Sequence, residues 1–86
     1  MDPASVVDRE TFLVFLRELA RDREIAAAHE LSKPSSPYGP DAGGWENTSI
    51  ETYLESCAAW ATDQPVPATA SWRVFAEVLL AGKLYE

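Results

Sequence analysis

A single cysteine, Cys57, stands in this chain of 86 residues, so no internal disulfide can form. Cysteine usage of that kind fits a reducing compartment, and the chain reads as cytoplasmic. There is likewise a single histidine, His29. A cysteine nucleophile with a histidine base needs the two within about 3 Å, and their spacing does not suggest it. Cys57 falls on an apolar helical arc, where a thiol behaves as a small hydrophobe, and His29 lies in or beside an alanine-rich segment. Long apolar runs are missing too. None approaches the roughly 18 residues that cross a bilayer, and the opening "MDPASVVDRE" is acidic where a signal peptide is basic.

Phosphate-binding glycine loops are also absent, because "AGG" followed by "WEN" lacks the motif's spacing and its lysine. Glu51 and Glu55 stand one turn apart, but no histidine lies near them and no aspartate-rich loop offers further ligands. The other carboxylates map to polar helix faces, Glu46 beside Trp45 being the arguable exception. No metal, cofactor or catalytic residue is expected, and the chain does not read as an enzyme.

The scarcest feature is positive charge in one stretch. Residues 45–64 carry Glu46, Glu51, Glu55 and Asp63 and no lysine or arginine, within a chain whose net charge is −7. Such a field repels nucleic-acid phosphates and anionic lipid, so no nucleic-acid or membrane role is expected. A basic protein partner is compatible with it, as is simple solvation of the surface.

What is present is enough apolar material for one small core. Hydrophobic residues make up 47% of the chain and charged ones 24%, which argues for a single folded domain over 1–86. Asp8 can cap a first helix in which Phe12, Leu13, Phe15, Leu16, Leu19 and Ala20 share one arc of about 160°. Ile25 and Leu31 fall out of phase with that arc. The helix-favouring "REIAAAHEL" therefore implies either a kink near Arg23 or a short separate helix. The stretch "SKPSSPYGPDAGG", residues 32–44, holds three prolines, three glycines and three serines and reads as a long flexible loop.

Thr48 precedes Glu51 by the spacing of a capping box, opening a second helix in which Ile50, Leu54, Cys57 and Ala61 form the apolar seam. Tyr53 and Trp60 flank that seam. "DQPVPA" ends the helix. Ser71 can cap a third, "WRVFAEVLLAGKLYE", apolar over so much of its circumference that it reads as the central helix, with Gly82 as its stop. The expected fold is all-α: a small three-helix bundle, or four helices if the alanine-rich piece separates. Trp60 and Trp72 read as core anchors. Trp45, just outside the second helix, is expected to pack back on the bundle. With Glu46 and Asn47 beside it, this is also the place where recognition would most naturally occur.

These residues resemble a family of small bacterial proteins of unknown function. The resemblance rests on Trp45, Glu46, Asn47, Ile50, Glu51, Tyr53, Leu54, Glu55, Ala59, Trp60, Asp63, Pro65, Pro67, Ser71, Trp72, Phe75, Ala76, Tyr85 and Glu86. It covers residues 45–86 well and the "FLVFLREL" helix more loosely. Two departures stand out: the insertion-like loop at 32–44, and a short connection after Asp63 where relatives have a longer glycine- and tyrosine-containing linker. The resemblance implies no activity.

The functional expectation is a protein–protein interaction module, of the kind that masks a basic toxin domain as immunity proteins do. Its candidate contact residues are Trp45, Glu46, Asn47, Glu51 and Glu55. The alternatives are a self-associating structural protein that uses the broad apolar third helix, and a small-ligand binder or enzyme.

Overall fold

The first helix, α1, begins where the sequence places its cap. Asp8 is extended, its carboxylate accepts from the Thr11 amide at 2.8 Å, and the Thr11 hydroxyl in turn accepts from the Asp8 amide. That reciprocal pair satisfies two of the donors a helix start leaves open. In the computed structural model, which describes residues 1–85, α1 runs unbroken over Arg9–Ser32. Glu86, the last residue of the family-like pattern, lies outside the described residues. Neither of the two alternatives, a kink near Arg23 or a short separate helix after it, is found. Phe15, Leu19 and Ala26 continue one buried line at i, i+4 and i+11. The out-of-phase Ile25 and Leu31 stand 56% and 90% exposed, so the helix continues and leaves them in solvent.

Ahead of α1 a 3-10 turn at Pro3–Ser5, capped by Asp2, packs against the third helix and brings Val6 into the core. After α1, residues 33–49 lead to the second helix. Their bounds differ from the expected 32–44, since Ser32 ends α1 and Ala42–Gly44 form a second 3-10 turn. Gly43 and Gly44 take φ of +72° and +80°, backbone that side chains resist. The turn lies on α1 and is held there by Glu30, whose carboxylate accepts from Ser35 N, Ser35 Oγ and Ala42 N. These bonds draw the Glu30 carboxyl below its ordinary range, those from Ser35 most. Beside it, Arg23 pairs with Asp41 at 3.2 Å.

The second helix, α2, spans Ile50–Asp63, and the third, α3, spans Trp72–Leu84. The α2 cap is Ser49, bonded to the Thr52 amide, one residue later than the expected Thr48–Glu51 box. Ser71 caps α3 through Val74 N. Gly82 does not stop α3. It sits buried within the last turn, where a methyl group would run into Cys57 Sγ and stand 2.9 Å from Tyr53 Cε1. The missing side chain is what lets α2 cross so closely.

α3 is the central element. Both α2 and α1 pack on it, α2 more extensively, whereas direct α1–α2 contact is slight. Among the described residues there are three α-helices and no strand, only an isolated bridge between Asp41 and Trp45. The molecule is all-helical and fits a small helical bundle.

The core is Val6, Phe15, Leu19, Ala26, Trp45 and Ala76, with Phe12, Tyr53, Leu79 and Leu80 packed around it. The tryptophans therefore divide differently from the sequence expectation. Trp45 is 4% exposed, Trp60 is half-buried, and Trp72, expected as a core anchor, is 40% exposed. The α2 seam is also rotated. Ser56 and Cys57 are buried and Tyr53 half-buried, while Ile50 and Leu54 stand 77% and 56% exposed. No helix among the described residues is long and apolar enough to cross a membrane.

Candidate functional site

The segment Trp45–Asn47 enters the structure straight after the two left-handed glycines and lies across the C-terminal end of α3. A helix end leaves its last carbonyls without intrahelical partners, and this segment supplies them. Glu46 N donates to Lys83 O at 3.0 Å, and Asn47 Nδ2 donates to Gly82 O at 2.9 Å and Tyr85 O at 2.6 Å. Tyr53 adds a fourth bond from α2, its hydroxyl donating to Leu79 O at 2.7 Å. Burial holds the Tyr53 phenol well above its ordinary pKa.

Trp45 is enclosed by charge as well as by apolar groups. Its indole Nε1 donates to Asp22 Oδ2 at 3.0 Å, and the same oxygen accepts from Lys83 Nζ at 2.6 Å. Lys83 Nζ and Arg23 Cζ lie 5.3 Å and 5.5 Å from the ring centroid, distances at which the ring face attracts cations. The Lys83 bond, foremost among several causes, holds the Asp22 carboxyl below its ordinary value.

This placement corrects part of the sequence reading. Trp45 was a candidate contact residue, but its burial makes it an internal strut. The Asn47 amide is occupied by two carbonyls. Glu46, Glu51 and Glu55 remain exposed. Glu51 and Glu55 lie one turn apart on the solvent side of α2, well away from the α3 contact. Asp63, the remaining acid of α2, accepts a hydrogen bond from the Tyr85 hydroxyl, which raises the Tyr85 pKa.

Sequence reasoning missed Asp22 and Lys83. Asp22 counted among the carboxylates on polar helix faces and Lys83 fell just past the expected stop at Gly82, and no local spacing links positions that are 61 apart. The buried Cys57 thiol is pushed up in pKa by its desolvation. His29 lies exposed on α1. Among the described residues no group of three or more histidine, cysteine, aspartate or glutamate side chains stands close enough to hold a metal ion.

Because α1 and α2 touch α3 but hardly each other, a trough opens between them above Trp45 and Leu79. It encloses about 340 Å³, with Leu16 and Ala20 on one wall and Ile50 and Tyr53 on the other. Its polar lining groups are mostly engaged: Arg23 with Asp41, Asn47 with the α3 carbonyls, Ser49 with Thr52. Next to it Phe12, Trp72 and Phe75 form an aromatic cluster with centroids 5.2–6.4 Å apart.

The chain belongs to the family of unknown function DUF7660, which matches residues 8–86. No match was found among curated proteins or among solved structures. Family membership takes in all three helices and carries no activity with it.

Proposed function

We propose that the protein is a non-enzymatic interaction module that holds a basic protein partner through the exposed acidic side of α2. An immunity-like role, masking a basic partner, is the form of this reading that the size and charge of the chain favour. That form rests on analogy.

The observation that carries the proposal is the exposure of Glu51 and Glu55 on a helix without a lysine or arginine. Each exposed pair with a partner's base would contribute about 0.2–1 kcal/mol, so affinity would need apolar contacts too. The larger electrostatic effect is on encounter rate and on rejecting acidic competitors. The clasp of the buried Trp45 and the partly buried Asn47 supports the reading indirectly, since it fixes α2 on α3 and presents the acids from a rigid element.

The test compares the wild type with a Glu51→Lys/Glu55→Lys variant, both tagged and both checked for unchanged melting. The expected result is salt-sensitive capture of a lysine- or arginine-rich protein by the wild type, lost in the variant. Equal capture by both overturns the proposal.

A second reading, a self-associating structural protein, is favoured by the exposed Ile50, Leu54, Trp72 and Phe75. Light scattering that finds a monomer at high micromolar concentration dismisses it. A small-ligand site or an enzyme is disfavoured, because the trough is near the lower limit of roughly 300–1,000 Å³ for such sites and its polar groups are mostly engaged.

A further inference from the structure

We infer that the trough between α1 and α2 is the seat of an amphipathic helix from a basic partner, an inference that rests on the reading proposed above.

The first observation is shape. Trp72, Phe75 and Leu79 follow one another along α3 at i, i+3 and i+7, which puts them on one face over about 10 Å. Phe12 lies one turn from Leu16 on α1 and Phe75 about one turn from Leu79 on α3, so the aromatic cluster adjoins the cavity above Trp45 along both helices. Ile50 lines the opposite wall, and Leu54, one turn further along α2, is largely exposed beside it. Two facing walls and a floor of that length match a helix laid in a groove, read through anchors at i, i+3 or i+4, and i+7.

The second observation is the sign of charge on the rim. Passing round α2 from its buried side, Tyr53 comes first, then Ile50 and Leu54, and about 100° further Glu51 and Glu55. The α2 wall is thus apolar below and acidic at its lip. On the α1 side the charged residue that lines the trough is Arg23, and its guanidinium is paired to Asp41. A bound helix would therefore turn its apolar face down and its lysines or arginines toward α2. The walls also explain how Ile50 and Leu54 can be left uncovered in a chain with so little core to spare.

The experiment uses the full chain and two synthetic helical peptides of about 18 residues, long enough to form isolated helix. Both carry leucines at i, i+3, i+4 and i+7, and neither contains tryptophan. One has lysines flanking that face and the other glutamates. Binding is followed by the tryptophan emission of the protein, to which the exposed Trp72 contributes, and by calorimetry.

The lysine peptide should bind at micromolar concentration and the glutamate peptide about tenfold more weakly. Leu16→Gln and Ile50→Gln should each weaken the lysine peptide about fivefold. The Ile50 side chain is mostly in water, so that variant keeps its fold. Glu51→Lys/Glu55→Lys should erase the difference between the peptides.

The inference is overturned if the lysine peptide shows no binding up to about 1 mM, or if the two peptides bind equally. It is also overturned if light scattering shows a dimer that Ile50→Gln dissociates, because a second copy then fills the trough. If a lysine-rich protein is captured equally by wild type, Leu16→Gln and Ile50→Gln yet lost by the charge-reversed variant, the trough is excluded and the interaction module stands. If charge reversal changes neither assay, both fall.

Discussion

Lys83 Nζ meets Asp22 Oδ2 at 2.6 Å beneath the Trp45 indole, tying the last turn of α3 to the middle of α1. The two residues are 61 positions apart, and the third member of the contact, Trp45, comes from neither helix. This junction, together with the Asn47 bonds beside it, holds the all-helical fold at the end where direct α1–α2 packing is slight.

The Lys83–Asp22 pair makes stability depend on acid pH. Asp22 has a folded-state pKa below its ordinary value of 3.8, so its contribution is complete above that value and is lost as pH falls through the lowered one. Asp8 and Glu30 shift in the same direction, and their effects add to the same limb. Asp22→Asn should cost about 1–2 kcal/mol at neutral pH, a figure trimmed because the carboxylate is about one-third exposed. In urea titrations the gap between wild type and variant should narrow steadily below pH of about 4.

Asn47 should prove more important than its half-exposed position suggests. Asn47→Ala leaves the Gly82 and Tyr85 carbonyls without their donor and should cost about 1–3 kcal/mol. Asn47→Asp should cost more at neutral pH, where a carboxylate faces two carbonyl oxygens at the negative end of a helix. The aspartate variant should recover toward the alanine one in acid, as measured by thermal melts at pH 4 and 7.

Gly82→Ala reverses the ordinary rule for a helix interior. Alanine gains about 1 kcal/mol in helix propensity over glycine, yet its methyl collides with Cys57 and crowds Tyr53. Overpacking of that kind should dominate, with a net loss of about 1–3 kcal/mol. In a double-mutant cycle with Cys57→Ala, removal of the sulfur should recover part of that loss.

Charge reversal at Glu51 and Glu55 should leave the fold intact. Glu51 lies in the first turn of α2, where an acid is favoured, so Glu51→Lys should cost about 0.3–1 kcal/mol. Glu55→Lys alone replaces a like-charge pair by an attractive one and should stabilise slightly, whereas the double variant restores a like-charge pair and should keep the cost of Glu51→Lys. Circular-dichroism melts of the single and double variants decide it.

Acrylamide quenching provides a direct check on the core. Chains retaining only Trp45 or only Trp72, with phenylalanine at the other two positions, should differ severalfold in quenching. Trp72 should be the accessible indole.

Much of the helical framework is legible in local chemistry. Asp8 and Ser71 announce helix starts because each has a side-chain oxygen within reach of an amide three residues on. Periodicity places Phe15 and Leu19 on the buried side of α1 and marks α3 as the central helix. The scarcity of histidine, cysteine and positive charge near α2 can likewise be read without coordinates.

Which part of an apolar arc touches a neighbour is another matter, and only the tertiary structure decides it. Both Trp45 and Trp72 were plausible anchors. The close crossing at Gly82 draws Tyr53 and Cys57 onto α3, turns Ile50 and Leu54 outward, and leaves Trp45 as the indole that fills the junction. Asn47 and Lys83 gained their roles in the same way. Their partners lie tens of residues off, and no spacing along the chain reports a contact that exists only once three helices have met.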